Sequence, residues 1–542
     1  MTEMALPGLY MDAVNPDYIA ARALNPELPN WVGVLPTLGI PVLGSLYHGV
    51  QNLYVGLPVF ALLGFNMLAL RVAQGLFASG ILVMTHLVLQ RASGSVLLAF
   101  AGSLGVATEL AFIASFRTQM YIVMSGAFWL LLAIYLALGR RTVASLPHEL
   151  NAAASTRSRN LISSLISSFS FAERPTLPWL FSGICAGLAV YSYFVYLFFV
   201  PVFVALGWWH TRQWRSTLPW LLGFVLGMQT YVLGYTLAIA ALGGFAPALE
   251  WFRNAADGLG PMSSVQTLTQ RAVNAWDVAL LTLQDGGNEL MIFGATALGQ
   301  WVVWKVRLLV LAPLLLLALG LARGYKRHDQ AEIAAHTPGL LANWHVALLP
   351  IVFIAVSLIF GDRLWSHHYS PLIPLAYVIL FLALYHLQTA LRRALPRWAG
   401  VTLMLGLMLG NLHQQQVFFE HLEASGGTKY FSNAINRMAD DALSMPADLV
   451  HVFPEWGFAM PFALLTGNHR RYEVYIDDAN LTRLAESGTN LRLYYWQSET
   501  ESSYRDQLLK HGYQISNSGT YLQRDQGIAF YWMDALSSES AN

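Results

Sequence analysis

Three things are scarce in this 542-residue chain. Charged side chains make up only 11% of it, 31 basic and 31 acidic, against about 25% in a soluble globular domain. That deficit excludes a soluble enzyme, a nucleic-acid binder with a basic patch and a disordered chain. Cysteine occurs once, as Cys185 in an apolar run, so no disulfide framework forms within the chain. The signatures of soluble enzymes are missing as well: no GxGxxG opens a helix, and no P-loop, HExxH, GxSxG or CxxC occurs. A nucleotide-driven mechanism lacks its phosphate cradle, and energy has to come from an activated substrate or an ion gradient.

What is present is hydrophobic sequence, 55% of residues with a mean hydropathy of +0.46 and 17 Trp. A bilayer core of about 30 Å takes roughly 20 apolar residues per helix. Such stretches lie near 67–90, 95–113, 122–139, 217–242, 306–322, 343–360, 370–390 and 398–416. The apolar run 178–208 is flanked by Arg140, Arg141, Arg157, Arg159 and Arg174 on one side and by Arg212 and Arg215 on the other. Both flanks are cytoplasmic under the positive-inside rule, so the run is predicted to cross twice and turn near Ser192-Tyr193-Phe194. Ten crossings result. Inner loops then hold 14 Lys and Arg, while outer segments before residue 419 hold 6.

Residues 1–57 and 243–305 become long outer segments, the second with an amphipathic helix around 266–284. Because no hydrophobic helix precedes 1–57, either a first span lies upstream of Met1, which is the favoured expectation, or this tail crosses unaided. From 419 onward the spans stop and 16 of the 31 acids appear. There DLVHVF and YEVYI alternate like short strands and Arg505–His511 reads as a helix. The expected fold is an all-α polytopic membrane domain over 1–418 with a small α/β extracytoplasmic domain over 419–542.

Reactive side chains collect on the outer side, which holds 11 of the 15 acids before residue 419. In LYMDAVNPDY, Asp12 and Asp17 flank a turn at Asn15-Pro16, although Asp17 also reads as the cap of a helix starting at Tyr18. In ATELAFIASFRTQMY, Glu109 sits in an apolar run, where a carboxylate is costly unless paired or functional. A Glu109–arginine ion pair is the structural alternative. Arg117 and Tyr121 follow on one helix face, and an arginine in a dry site suits bidentate phosphate binding. DRLWSHHYSPLIP offers Arg363, His367, His368 and Tyr369 to a phosphate or a metal, although adjacent histidines diverge by about 100° on a helix. SLYHGVQNLY places Tyr47, His48 and Gln51 where they line a cleft, or simply a surface.

With these residues placed, the chain resembles the GT-C superfamily of integral-membrane glycosyltransferases, nearest the bacterial group related to lipid A aminoarabinose transferase and protein O-mannosyltransferases. LYMDAVNPDYIAARAL is similar to the first outer loop, where that family carries an essential acid. YHGVQNLYVGLPVFALLGFNMLALRVAQ is similar to the family's entry into the second span, with its closing A-x-R. FRTQMYIVMSGAFWLLLAIYLAL resembles the arginine-bearing start of its fourth span. GICAGLAVYSYFVYLFFVPVFVAL resembles its G-x-x-x-G-L-A hairpin, with Tyr193 or Phe194 where many relatives have lysine. FPEWGFAMPFALLTGN suits its outer C-terminal domain. Many relatives have Asp-Glu where this chain has Asp12-Ala13.

The resemblance implies transfer of a sugar from a polyprenyl-phosphate donor to a lipid, polysaccharide or protein acceptor on the outer face of a bacterial inner membrane. Asp12 is then the base, with Asp17 as the fallback, and Glu109 orients the acceptor. Arg117, Arg363, His367, His368 and Tyr369 bind the donor phosphate, and Tyr47, His48, Gln51 and Tyr121 line the cleft. The metal question stays open: no cofactor is required by the pattern, and a divalent cation (Mg or Mn) between Asp12 and Glu109 is compatible with it. The partners expected are the lipid-linked donor, the acceptor and membrane lipids, with no nucleic acid. A lipid-linked glycan polymerase or ligase is the alternative. A transporter or flippase fits less well, because ionisable residues are scarce at mid-span.

Overall fold

The computed structural model describes residues 4–10, 13–14, 42–118, 120–138, 176–211, 214–257, 267–294, 299–327, 342–391, 397–474 and 476–537. Helices dominate up to residue 425. They are α1 (Gln51–Leu63), α2 (Met67–Ser93), α3 (Val96–Ala107), α4 (Leu110–Ser115), α5 (Ala127–Ala137), α6 (Thr176–Ser192) and α7 (Val200–Thr211), then α8 (Trp214–Ala241), α9 (Phe245–Asp257), α10 (Leu268–Asp285), α11 (Gln300–Arg327), α12 (Leu348–Ser357), α13 (Leu372–Ala390) and α14 (Arg397–Ser425). Among the described residues, four helices are long and apolar enough to cross a membrane by length and composition: Met67–Ser93, Thr217–Ala241, Gln300–Ala322 and Ser366–Ala390. Six shorter apolar helices accompany them.

Local chemistry marks the helix ends. The Asn66 side chain accepts from the Ala69 amide to start α2, and Gly94, at φ 73°, ends it. α10 is the amphipathic helix expected in the second outer segment, and it opens with a reciprocal capping box between Thr267 and Gln270. The run 178–208 divides where the flanking charges placed the turn: α6 stops at Ser192, Tyr193 is extended, and a 3-10 turn over Phe194–Phe199 leads into α7.

Several boundaries differ from the sequence reading. The stretch 95–113 is two helices, because Glu109 leaves helical geometry (φ −76°, ψ 123°) and caps α4 by accepting from the Ala111 amide at 3.1 Å. α1 occupies part of a region expected as loop, and it tolerates Pro58 in its interior. α11 begins at Gln300, ahead of the expected 306. α14 runs unbroken through residue 419, so the sheet-bearing unit begins only after Ser425.

That unit holds α15 (Ala434–Ser444), β1 (Val450–Phe453), α16 (Ala459–Leu465), β2 (Tyr472–Val474), α17 (Asp478–Glu486), β3 (Leu491–Tyr495), α18 (Glu501–Lys510), β4 (Tyr513–Leu522) and β5 (Ile528–Ser537). The sheet order is β2-β1-β3-β5-β4, with β1 parallel to both β2 and β3 and the β4–β5 hairpin antiparallel at one edge. One hydrophobic core fills the helical bundle. A second joins Leu9, Val14, Leu53 and Phe60 to Ile435, Phe453, Phe458 and Tyr494, so the N-terminal segment and α1 are packed onto the sheet unit.

Candidate active site

Two arginines meet at the N-terminal segment. Arg71, in the second turn of α2, donates from Nε to Met4 O at 3.1 Å and from Nη1 to Gln74 Oε1 at 2.9 Å and Phe116 O at 3.5 Å. Arg117, just after α4, donates to Leu6 O at 3.3 Å, and its guanidinium lies 5.1 Å from the centroid of the Phe419 ring. The Gln74 amide reaches Ala13 O at 3.4 Å, directly after Asp12 in the chain. Burial lowers the Arg117 pKa from its ordinary value. The two guanidiniums are near enough to repel each other, Nη2 of Arg71 is buried without a partner, and Arg71 forms no ion pair among the described residues. Like charges held together in a half-dry site favour an anion between them. Arg71 was not among the expected site residues. Its signal was a lone arginine inside an apolar span, which is a functional marker in its own right.

A second cluster joins three segments far apart in sequence. Tyr193, at the break between α6 and the 3-10 turn, lies 6.1 Å from His48 with rings nearly parallel and 5.4 Å from Tyr47. Its hydroxyl is 3.2 Å from His368 Nε2, and the His367 and His368 rings are 3.9 Å apart. The tautomers follow from the partners. His48 Nδ1 donates to Gly49 O at 3.0 Å, leaving Nε2 as the lone-pair nitrogen, while His368 Nδ1 accepts from the Trp365 amide at 3.0 Å, so its Nε2 donates to Tyr193. Burial holds the His48 pKa down to about 4, which keeps that ring neutral at physiological pH. His367 Nδ1 is buried without a partner. Arg363 ends the short turn that leads into this histidine pair.

Other expected site residues serve the framework. Glu109 pairs with Lys305 of α11 at 2.7 Å, with side chains 1% and 0% exposed. Lys305 also donates to Gln284 O at 2.9 Å and Gln414 Oε1 at 2.8 Å. Tyr377 donates to the other Glu109 oxygen and accepts from Asn411 at 2.8 Å. The partner is thus a lysine from a distant helix, not an arginine, and both carboxylate oxygens are engaged. Tyr369 donates to Ser357 Oγ at 2.7 Å. Gln51 accepts from Trp129 Nε1 and donates to Leu188 O, both at 2.6 Å. Tyr121 is fully buried, edge-on to Phe77.

The end of α10 ties the two clusters together. Asp285 accepts from the Gly287 and Glu289 amides at 2.9 and 2.6 Å, and burial lifts its carboxyl to about 6. Asn288 accepts from Thr118, beside Arg117, at 2.9 Å, while Thr282 donates to Ser366 O, beside His367, at 3.3 Å. A mostly apolar cavity of about 630 Å³ lies within the bundle, lined among others by Gln51, Tyr54, Phe77, Trp129 and Tyr191. Asp12 and Asp17 lie outside the described residues. No group of three His, Cys, Asp or Glu able to hold a metal occurs among the described residues.

No family model and no curated protein matches the chain. Crystal structures similar to it include ArnT from Cupriavidus metallidurans in the apo state and ArnT from the same organism bound to undecaprenyl phosphate. Each shows 11% sequence identity and a TM-score of 0.48 over 97% of this chain, covering 93% and 94% of the ArnT chains respectively.

Proposed function

We propose that the chain is a membrane glycosyltransferase that moves a sugar from a polyprenyl-phosphate donor to an acceptor at the outer face of a bacterial inner membrane. The observation that carries this reading is the Arg71–Arg117 pair, with a buried, unpartnered Arg71 Nη2, held against the segment that contains Asp12. An anionic lipid headgroup satisfies those donors. The apolar cavity beside Phe77 accommodates isoprenoid chain, and the neutral cluster of His48, Tyr193, His367 and His368 supplies hydrogen bonds and ring faces suited to a sugar.

In the step, the Asp12 carboxylate takes the proton of the acceptor nucleophile. The acceptor oxygen or nitrogen bonds to the anomeric carbon as that carbon's bond to the phosphate oxygen breaks. Arg71 and Arg117 stabilise the charge that returns to the polyprenyl phosphate, an effect strongest where water is excluded. In this reading Glu109 holds Lys305 and the start of α4.

Lipid mass spectrometry on membranes from cells producing wild type, Asp12→Asn or Arg71→Gln tests the reading. One polyprenyl-phosphate sugar is expected to build up with Asp12→Asn, and its mass gives the sugar class. Arg71→Gln should act in the same direction, since losing one charge-assisted contact in a dry site lowers turnover by about 10²–10³-fold. Matching lipid profiles from folded, equally abundant proteins overturn the proposal.

A further inference from the structure

The sheet unit has a topological switch point of its own. In an open parallel sheet, ligands bind beyond the carboxyl ends of the strands where the strand order reverses. Here the chain goes from β1 outward to β2 and then back across to β3 on the other side of β1, so the reversal lies between β1 and β3. The loops that leave those two ends are Pro454–Phe458 and Trp496–Thr500, and aromatic rings line them. Trp496 stacks on Phe458 at 3.9 Å, Tyr430 stands edge-on to Trp496 at 4.6 Å, and Tyr10 lies 5.5 Å from Tyr430. Trp456 and Tyr430 are 38% and 39% exposed.

Backbone geometry brings the β1 loop onto these rings. Gly457 has φ +119°, and a Cβ there would come within 2.7 Å of Tyr10 and 3.0 Å of Trp496. Only glycine lets the β1 loop approach the N-terminal segment so closely. The polar group at the strand end is acidic: Glu455 accepts from the Trp496 amide at 2.6 Å, from Thr500 at 3.0 Å and from Tyr504 at 3.1 Å. A phosphate or nucleotide, the usual occupant of such a crevice, is opposed by that carboxylate and finds no glycine-rich cradle. A neutral polyol is not opposed, and exposed aromatic faces with hydroxyls beside them suit the C–H faces of a sugar ring.

We propose that the crevice at the ends of β1 and β3, formed by Trp456, Trp496, Tyr430 and Tyr10, is a carbohydrate subsite that holds a glycan acceptor beside the Asp12 segment. Tyr10 is two residues before Asp12 and carries one ring of the subsite. The assignment of the glycan as acceptor rests on the transferase reading; binding of the glycan does not.

The test uses the full chain in detergent and, as probe, oligosaccharides released by mild acid from the glycolipids of the producing cells. Saturation-transfer NMR reads contact between aromatic rings and sugar protons. Wild type is expected to give clear ring-proton signals, while Trp456→Ala/Tyr430→Ala weakens binding by about tenfold or more. The bond from Trp496 Nε1 goes to the backbone carbonyl of Trp456, so the alanine keeps it. Equal signals from wild type and the double variant, or no signal with any oligosaccharide, overturn the subsite. If the signals behave as expected while Asp12→Asn causes no donor lipid to accumulate, the subsite stands and the transferase reading falls.

Discussion

Glu109 shows how much one residue decides. An apolar run interrupted by a single acid announced a partner, and Lys305 is that partner, from a helix nearly 200 positions later (|i−j| = 196). The ammonium spends its three donors on Glu109, Gln284 O and Gln414. Removing one member leaves a buried charge uncompensated, which costs about 3–5 kcal/mol, whereas replacing both by neutral groups of similar shape is often tolerated. Lys305→Met is therefore expected to lower the thermal midpoint in detergent sharply, and Lys305→Met/Glu109→Gln to recover much of it. A double variant no better than the single would remove the ion pair from the account. The sequence made the need for a partner legible but not its identity, because the pairing depends on how α3, α11 and α13 cross. The same limit applies to Arg71 and Arg117, which become neighbours only when α2 and α4 pack beneath residues 4–6. It applies too to Tyr47 and His48, which reach His368 through Tyr193.

Among the elements, helix extent and the break in 178–208 could be read from hydrophobicity and loop charge, since both are local properties. β1, β2 and α18 could be read from alternation and composition. β4 and β5 could not: most of β4 is exposed or half-exposed, so it lacks the alternating apolar signal and owes its place to pairing with β5. How closely α6 and α8 approach was also hidden. Gly183 and Gly187 face Gly223 and Gly227, and a Cβ at Gly183 would sit 2.1 Å from Trp220 O, one at Gly223 2.0 Å from Leu180 O. Small residues at four-residue spacing let helix backbones touch where lipid gives no hydrophobic push. Gly183→Leu is expected to destabilise by about 1–3 kcal/mol or to block folding. Gly75→Ala, on α2 with nothing within 4 Å of its Cβ, should be neutral or stabilising by about 0.5–1 kcal/mol. Thermal unfolding of the two variants in the same detergent separates them, and equal behaviour would show that the α6–α8 approach is not tight.

For the whole molecule, the arginine pair, residues 4–10 and the sheet unit form one end. Gly8 donates to Phe431 O at 2.8 Å, and a Cβ on Gly8 would lie 2.0 Å from Ser432 O, so the chain leading to Asp12 is clamped onto the unit that carries the aromatic crevice. Donor charge, proposed base and proposed acceptor subsite therefore share one side of the membrane whichever side it is. The outer side is the expectation from loop charge, since the loops assigned inside carry 14 Lys and Arg against 6 on the segments assigned outside. The single cysteine makes this testable. In a Cys185→Ala background, Glu486→Cys lies on an exposed position of α17, and Arg157→Cys lies in the basic loop 140–177. A membrane-impermeant maleimide added to spheroplasts should label position 486 and leave 157 unlabelled until the membrane is opened. The reverse pattern would turn the site toward the cytoplasm, where a transferase using a donor from the outer leaflet cannot work. Labelling of both before lysis would instead mean that loop 140–177 is not an inner loop, and the double crossing of 178–208 would have to be redrawn.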